Sequence, residues 1–90
     1  MNSIVEVVAS HAETNPDKIC IVDIKGSYTY KDTWKKVQDI AYLFMEMKIE
    51  KGDCVIVECT QDFEFLVCNL SCQLIGAIFV PVELKASFEK

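Results

Sequence analysis

The sequence predicts a mixed α/β unit: a helix, a β-hairpin, a second helix, then a parallel strand-helix-strand crossover. Three observations carry this prediction. Apolar residues Tyr30, Trp34, Val37, Ala41 and Phe44 recur at helical spacing behind a Thr29 cap. Two short apolar runs, 54–59 and 77–82, have the length of strands, not of helices. The segment between them reads as a helix stopped by Gly76, and strands joined through a helix of that length lie parallel.

The elements follow in order. Ser3 with Glu6 three residues later is a capping box, so a short helix opens the chain and runs to Thr14, with Ile4, Val7, Val8 and His11 on one face. Asn15-Pro16-Asp17 ends it, because Pro16 drives Asn15 out of the helical region. Lys18 to Ile24 is rich in β-branched residues, Lys25-Gly26-Ser27 turns the chain, and Tyr28-Thr29-Tyr30 returns as the second strand of a hairpin. The second helix runs to about Met47. Its polar face carries Lys31, Asp32, Lys35, Lys36, Asp39 and Glu46, with Asp32 and Lys36 in the favourable i,i+4 order.

Gly52-Asp53 marks a tight turn into the strand Cys54 to Cys59, which is apolar up to Glu58 and is therefore expected to be covered on both faces. Residues 61–75 form the third helix, with Asp62 in its first turn, where a carboxylate suits the dipole. Apolar side chains surround that helix almost completely and leave Asp62, Asn69 and Gln73 as a narrow polar stripe, so it expects neighbours on several sides. Ala77 to Val82 is the last strand. A two-strand parallel pair is an unfinished sheet, and we expect the chain to be a single N-terminal subdomain, 1–90, of something larger.

Composition narrows the function classes. Ninety residues make one small domain that buries only about 60 to 65% of its unfolded surface, so its stability is expected to be marginal. At 51% apolar and 26% charged residues the chain is expected to fold, and a net charge of −5 argues against a nucleic-acid partner. The N-terminus lacks the pattern of a secretory signal, and Asn69, Ser71 and Gln73 interrupt the longest apolar stretch, so no membrane span and a cytoplasmic location are expected.

Candidate chemistry is sparse. The five cysteines Cys20, Cys54, Cys59, Cys68 and Cys72 form no CxxC, and His11 is the sole histidine. Cys68 and Cys72, at i,i+4, offer two thiolates without the further ligands zinc requires, so all five read as small buried hydrophobes. Gly26, Gly52 and Gly76 are too scattered for a phosphate-gripping loop. His11 sits among apolar positions and reads as a packing residue; Asp62 and Glu64 read as a solvated first turn, not as an acid–base pair. No catalytic, cofactor-binding or metal-ligating residue is assigned.

The strongest signal is an ordered set of short pieces: Asn15-Pro16-Asp17-Lys18, Tyr28-Thr29-Tyr30, Ala41 with Phe44, Gly52-Asp53-Cys54-Val55, Glu64-Phe65 and Gly76-Ala77-Ile78-Phe79-Val80-Pro81-Val82. In this order the chain, from about Ile4 to Val82, resembles the opening of the AMP-forming acyl-adenylating enzymes: acyl-CoA synthetases, nonribosomal peptide synthetase adenylation domains and luciferases. It departs from them at Thr33, where the family often has Leu, and at Lys48, where a Gly often closes the long helix.

The resemblance implies an N-terminal fragment of that family's large domain, a scaffold piece of an enzyme that activates a fatty or other carboxylic acid as an acyl-adenylate and transfers it to a thiol. It implies ATP, magnesium and coenzyme A for the parent enzyme and none for this fragment, which is expected to be inactive. The family's phosphate loop, magnesium-binding Glu, ribose-binding Asp and C-terminal Lys all lie downstream of Lys90, so none is carried over. Val80-Pro81-Val82-Glu83 is closer to the acyl-CoA synthetase branch than to peptide synthetases, which tend to follow this Pro with Leu-Asp-Pro. The alternatives are a peptide synthetase adenylation fragment and a free-standing interaction module whose apolar third helix docks on a partner. In either case the expected partners are the remainder of the parent enzyme or, through exposed apolar surface, a second copy.

Overall fold

The computed structural model describes residues 3–83. Along the chain run α1 (Ile4–Thr14), β1 (Ile19–Asp23), β2 (Gly26–Thr29), α2 (Tyr30–Glu46), β3 (Cys54–Glu58), α3 (Phe63–Ile75) and β4 (Ile78–Val82). β1 and β2 form an antiparallel hairpin, and β3 and β4 form a separate parallel pair joined through α3. The predicted α/β order is thus the observed one.

α1 begins with the predicted capping box: Glu6 N–H donates to Ser3 Oγ, and Ser3 N–H donates to Glu6 Oε1 at 2.9 Å. Its buried stripe is Val5 and Val8, whereas Ile4 is 65% exposed. Of the expected Ile4-Val7-Val8-His11 set, Val8 and the half-buried His11 face inward, and Val5 takes the place of the exposed Ile4 and Val7. Ala9 and Ala12, both half-buried, continue the stripe from Val5 and Val8 at the same helical spacing.

In the hairpin, Gly26 and Ser27 belong to β2 and not to the turn, because Asp23 itself makes the reversal. Its Oδ1 accepts from Lys25 N–H at 2.8 Å and from Gly26 N–H at 3.0 Å, leaving Ile24 and Lys25 as the loop. Thr29 then caps α2 by accepting from Asp32 N–H at 3.0 Å. Thr33, Val37 and Ala41 are buried along α2, with Tyr30, Trp34 and Phe44 half-buried beside them. Asp32 and Lys36 do not form the expected pair. The i,i+4 ion pair is Lys35–Asp39 at 3.2 Å, while Asp32 and Lys36 line a cleft shared with other carboxylates.

α2 ends in a Schellman turn. Ile49 N–H reaches back to Phe44 C=O and Lys48 N–H to Met45 C=O, both at 3.0 Å, which requires Lys48 at φ 70°. α3 starts at Phe63, two residues later than predicted, since Asp62 is extended and serves as the cap, accepting from Phe65 N–H at 3.0 Å. It stops as predicted at Gly76, left-handed at φ 81°, where Gly76 and Ala77 N–H both donate to Cys72 C=O.

The core brings Val5 and Val8 of α1, Val37 of α2, and Phe63, Val67 and Leu70 of α3 together, with Cys20, Ile21, Tyr28, Trp34 and Ile40 packed around them. α3 touches α1, α2, β1, β3 and β4, the many-sided environment its apolar surface demands. Ser71, fully buried, fixes the α2–α3 contact: its Oγ lies 2.8 Å from Val67 C=O and 3.0 Å from Val37 C=O, so one proton is shared between the two helices.

β3 is not covered on both faces. Val55 and Val57 are half-buried on the α3 side, where Phe79 meets Phe65 edge-on at 5.2 Å. On the other side Cys54 and Glu58 are exposed and Ile56 is 68% exposed. Register pairs Cys54 with Ile78, Ile56 with Val80 and Glu58 with Val82, so that face is mostly aliphatic. A parallel pair normally has layers on both sides; among the described residues only α3 packs on this one, and on the other face Val80 and Val82 are half-buried while Cys54, Ile56, Glu58 and Ile78 are exposed. Pro81 sits opposite Val57, at an alternate position from Ile78, whose N–H donates to Asp53 C=O across the pair.

Candidate functional site

A polar cleft of about 430 Å³ lies at the N-terminus of α3, lined by Asp23, Lys25, Tyr28, Asp32, Lys36, Asp62, Phe63 and Glu64. Asp23 organises it. While Oδ1 holds the hairpin turn, Oδ2 accepts from Phe63 N–H at 3.0 Å, a contact between residues 40 apart in sequence. Two carboxylates therefore serve one helix terminus, Asp23 on the first free N–H and Asp62 on the third, where free donors and the dipole favour negative charge.

These contacts set the proton affinities. The Phe63 N–H, reinforced by those of Lys25 and Gly26, holds the Asp23 carboxyl below its ordinary value against partial burial and the nearby Asp62 charge. The Phe65 N–H and the Thr60 hydroxyl, 2.8 Å away, do the same for Asp62. Loss of hydration, and then the Asp23 charge, push the Tyr28 phenol upward; its ring stacks on Phe63 with centroids 3.8 Å apart. A carboxylate kept ionised by backbone donors is a poor proton donor at neutral pH, and the bond from Phe63 N–H to Asp23 ties the hairpin to α3.

The residues considered from sequence are dispersed. His11 is half-buried on α1, stacked on Tyr30 at 4.8 Å, and its Nδ1 lies 3.2 Å from Asn15 Nδ2, which makes that nitrogen the acceptor and gives the ring a packing role. The reading of every cysteine as buried fails for Cys54, exposed at the start of β3. Cys72 is fully buried, and Cys20, Cys59 and Cys68 are half-buried. Burial raises the thiols of Cys20, Cys68 and Cys72, the opposite of what a nucleophile or metal ligand needs. Among the described residues no three His, Cys, Asp or Glu side chains converge as a metal site. No described helix is long and apolar enough to cross a membrane.

Sequence reasoning missed Asp23 and Thr33. Asp23 had a local signal, an Asp three residues before a Gly at a hairpin turn, but its bond to Phe63 N–H had none. Thr33, fully buried, leaves Oγ1 without a hydrogen bond of ordinary geometry, with the Cys20 thiol as a weak sulfur neighbour.

Three helices, a hairpin and a parallel strand pair follow one another as α1-β1-β2-α2-β3-α3-β4. A family model described as AMP-binding enzyme matches residues 8–89. The chain belongs to that family. It is 38% identical over 72 residues to the medium-chain fatty-acid–CoA ligase of Escherichia coli strain K12, covering 79% of this chain and 13% of the ligase. Over 81 residues it is 31% identical to the nonribosomal peptide synthetase tcpP of Claviceps purpurea strain 20.1, covering 90% of this chain and 4% of that protein. Its fold matches VinN, solved with L-aspartate, at a TM-score of 0.85 and 16% identity over 91% of this chain and 21% of VinN. The chain thus spans only a small part of the length of these relatives.

Proposed function

We propose that this chain is the N-terminal scaffold segment of an adenylate-forming enzyme of the acyl-CoA ligase branch, acting on a fatty or other carboxylic acid. The observation that carries it is the β3–α3–β4 crossover, which among the described residues leaves Ile56 and Ile78 exposed on the face away from α3: in a family member, an aliphatic parallel pair of this kind is a surface for further layers of its own enzyme. Support for the branch comes from Val80-Pro81-Val82-Glu83, since ligase and peptide synthetase relatives both match.

The role assigned to the chain is mechanical. α3 locks the hairpin through Asp23, holds α2 through Ser71, and supports β3 and β4 from one side. Magnesium-ATP and coenzyme A would be handled by the rest of the enzyme, whose reaction joins the acid to AMP with loss of pyrophosphate and then passes the acyl group to the thiol. Titration of the purified 90-residue chain with magnesium-ATP in a calorimeter tests this role. No heat beyond dilution is expected, and saturable binding in the micromolar range would overturn it.

A peptide synthetase adenylation segment is the second reading, favoured by the match to tcpP. Reading the coding frame past Lys90 and assaying the longer product separates the two. Acid-dependent pyrophosphate release with fatty acids and coenzyme A supports the ligase, and release with amino acids alone supports the synthetase. A frame without a downstream Ser/Thr/Gly-rich loop ending in Lys refutes both.

A further inference from the structure

We draw no further inference here: the strongest candidate, the apolar cleft between the C-terminal ends of α2 and α3 lined by Tyr42, Met45, Ile49 and Leu74, is an unpartnered surface and nothing in the structure shows what covers it.

Discussion

Replacing Lys48 with glycine is expected to stabilise the chain. Lys48 closes α2 at φ 70°, where its Cβ is crowded by the backbone, a cost of roughly 1–2 kcal/mol for a residue with a side chain. Glycine removes that cost but gains freedom in the unfolded chain, which takes back roughly 0.4–1 kcal/mol. A net gain of about 0.5–1 kcal/mol should remain, and in a chain of this size that raises Tm by about 2–8 °C. The Schellman hydrogen bonds from Lys48 and Ile49 run between backbone atoms and should survive the change. Urea unfolding at 25 °C and a thermal melt, both followed by far-UV circular dichroism, measure the effect, with an unchanged urea m-value showing that the two native states are comparable. The reciprocal control is Gly76→Ala, at φ 81°, where an added Cβ also comes within 3.0 Å of the movable Lys51 Cγ; with the unfolded-chain term now favouring alanine, it should lose about 0.5–1 kcal/mol. If Lys48→Gly is neutral or destabilising while Gly76→Ala is costly, the left-handed strain argument is wrong for Lys48.

Three further predictions test the interior. Ser71→Ala removes the hydroxyl shared between Val37 and Val67 carbonyls and should cost about 1 kcal/mol in urea unfolding; an unchanged midpoint would mean that the α2–α3 contact does not depend on it. Thr33→Val replaces a buried hydroxyl lacking an ordinary partner and should stabilise by about 1 kcal/mol, whereas a loss of that size would show that the Cys20 thiol satisfies it. Asp23 and Asp62 both have folded-state proton affinities below the ordinary 3.8, so the stability they supply is complete above that value and is lost as pH falls through their lowered values. Asp23→Asn should therefore be less stable than the parent at pH 7, with the gap narrowing below about pH 4. A gap that stays constant down to pH 2 would rule out the charge as its source.

Much of this fold is written locally. Ser3, Thr29 and Gly76 mark helix ends by side-chain chemistry or by its absence, and each acts within four residues of its own position. Boundaries slipped where one residue served two elements: Asp62 as cap instead of first turn, and Asp23 as the turn itself. Burial was less legible, because periodicity finds a stripe without fixing its rotation. Ile4 and Val5 are equally apolar, and only the packing of α1 on α2 and α3 selects Val5. The cleft was the least legible part. Asp23 meets Phe63 across 40 residues, a contact that no spacing rule encodes. For β3, an apolar composition correctly signalled a strand but misled about its cover, because composition does not show which elements pack on each face, and Cys54, Ile56 and Glu58 are exposed.

Pro81 bears on how the sheet can grow. In a parallel pair, alternate residues bond to the same neighbour; Ile78 donates to β3 and Val82 accepts from Cys59, so Phe79 and Pro81 direct their backbone to the open side of β4. That open side has no donor at Pro81. A strand arriving there must place something other than a backbone acceptor opposite Pro81, so most registers and stray strands are penalised. Nothing comparable interrupts the open side of β3, whose five residues all retain their N–H. The two borders of the pair are thus unequal: among the described residues the β4 border lacks a backbone donor at Pro81, and the β3 border lacks none.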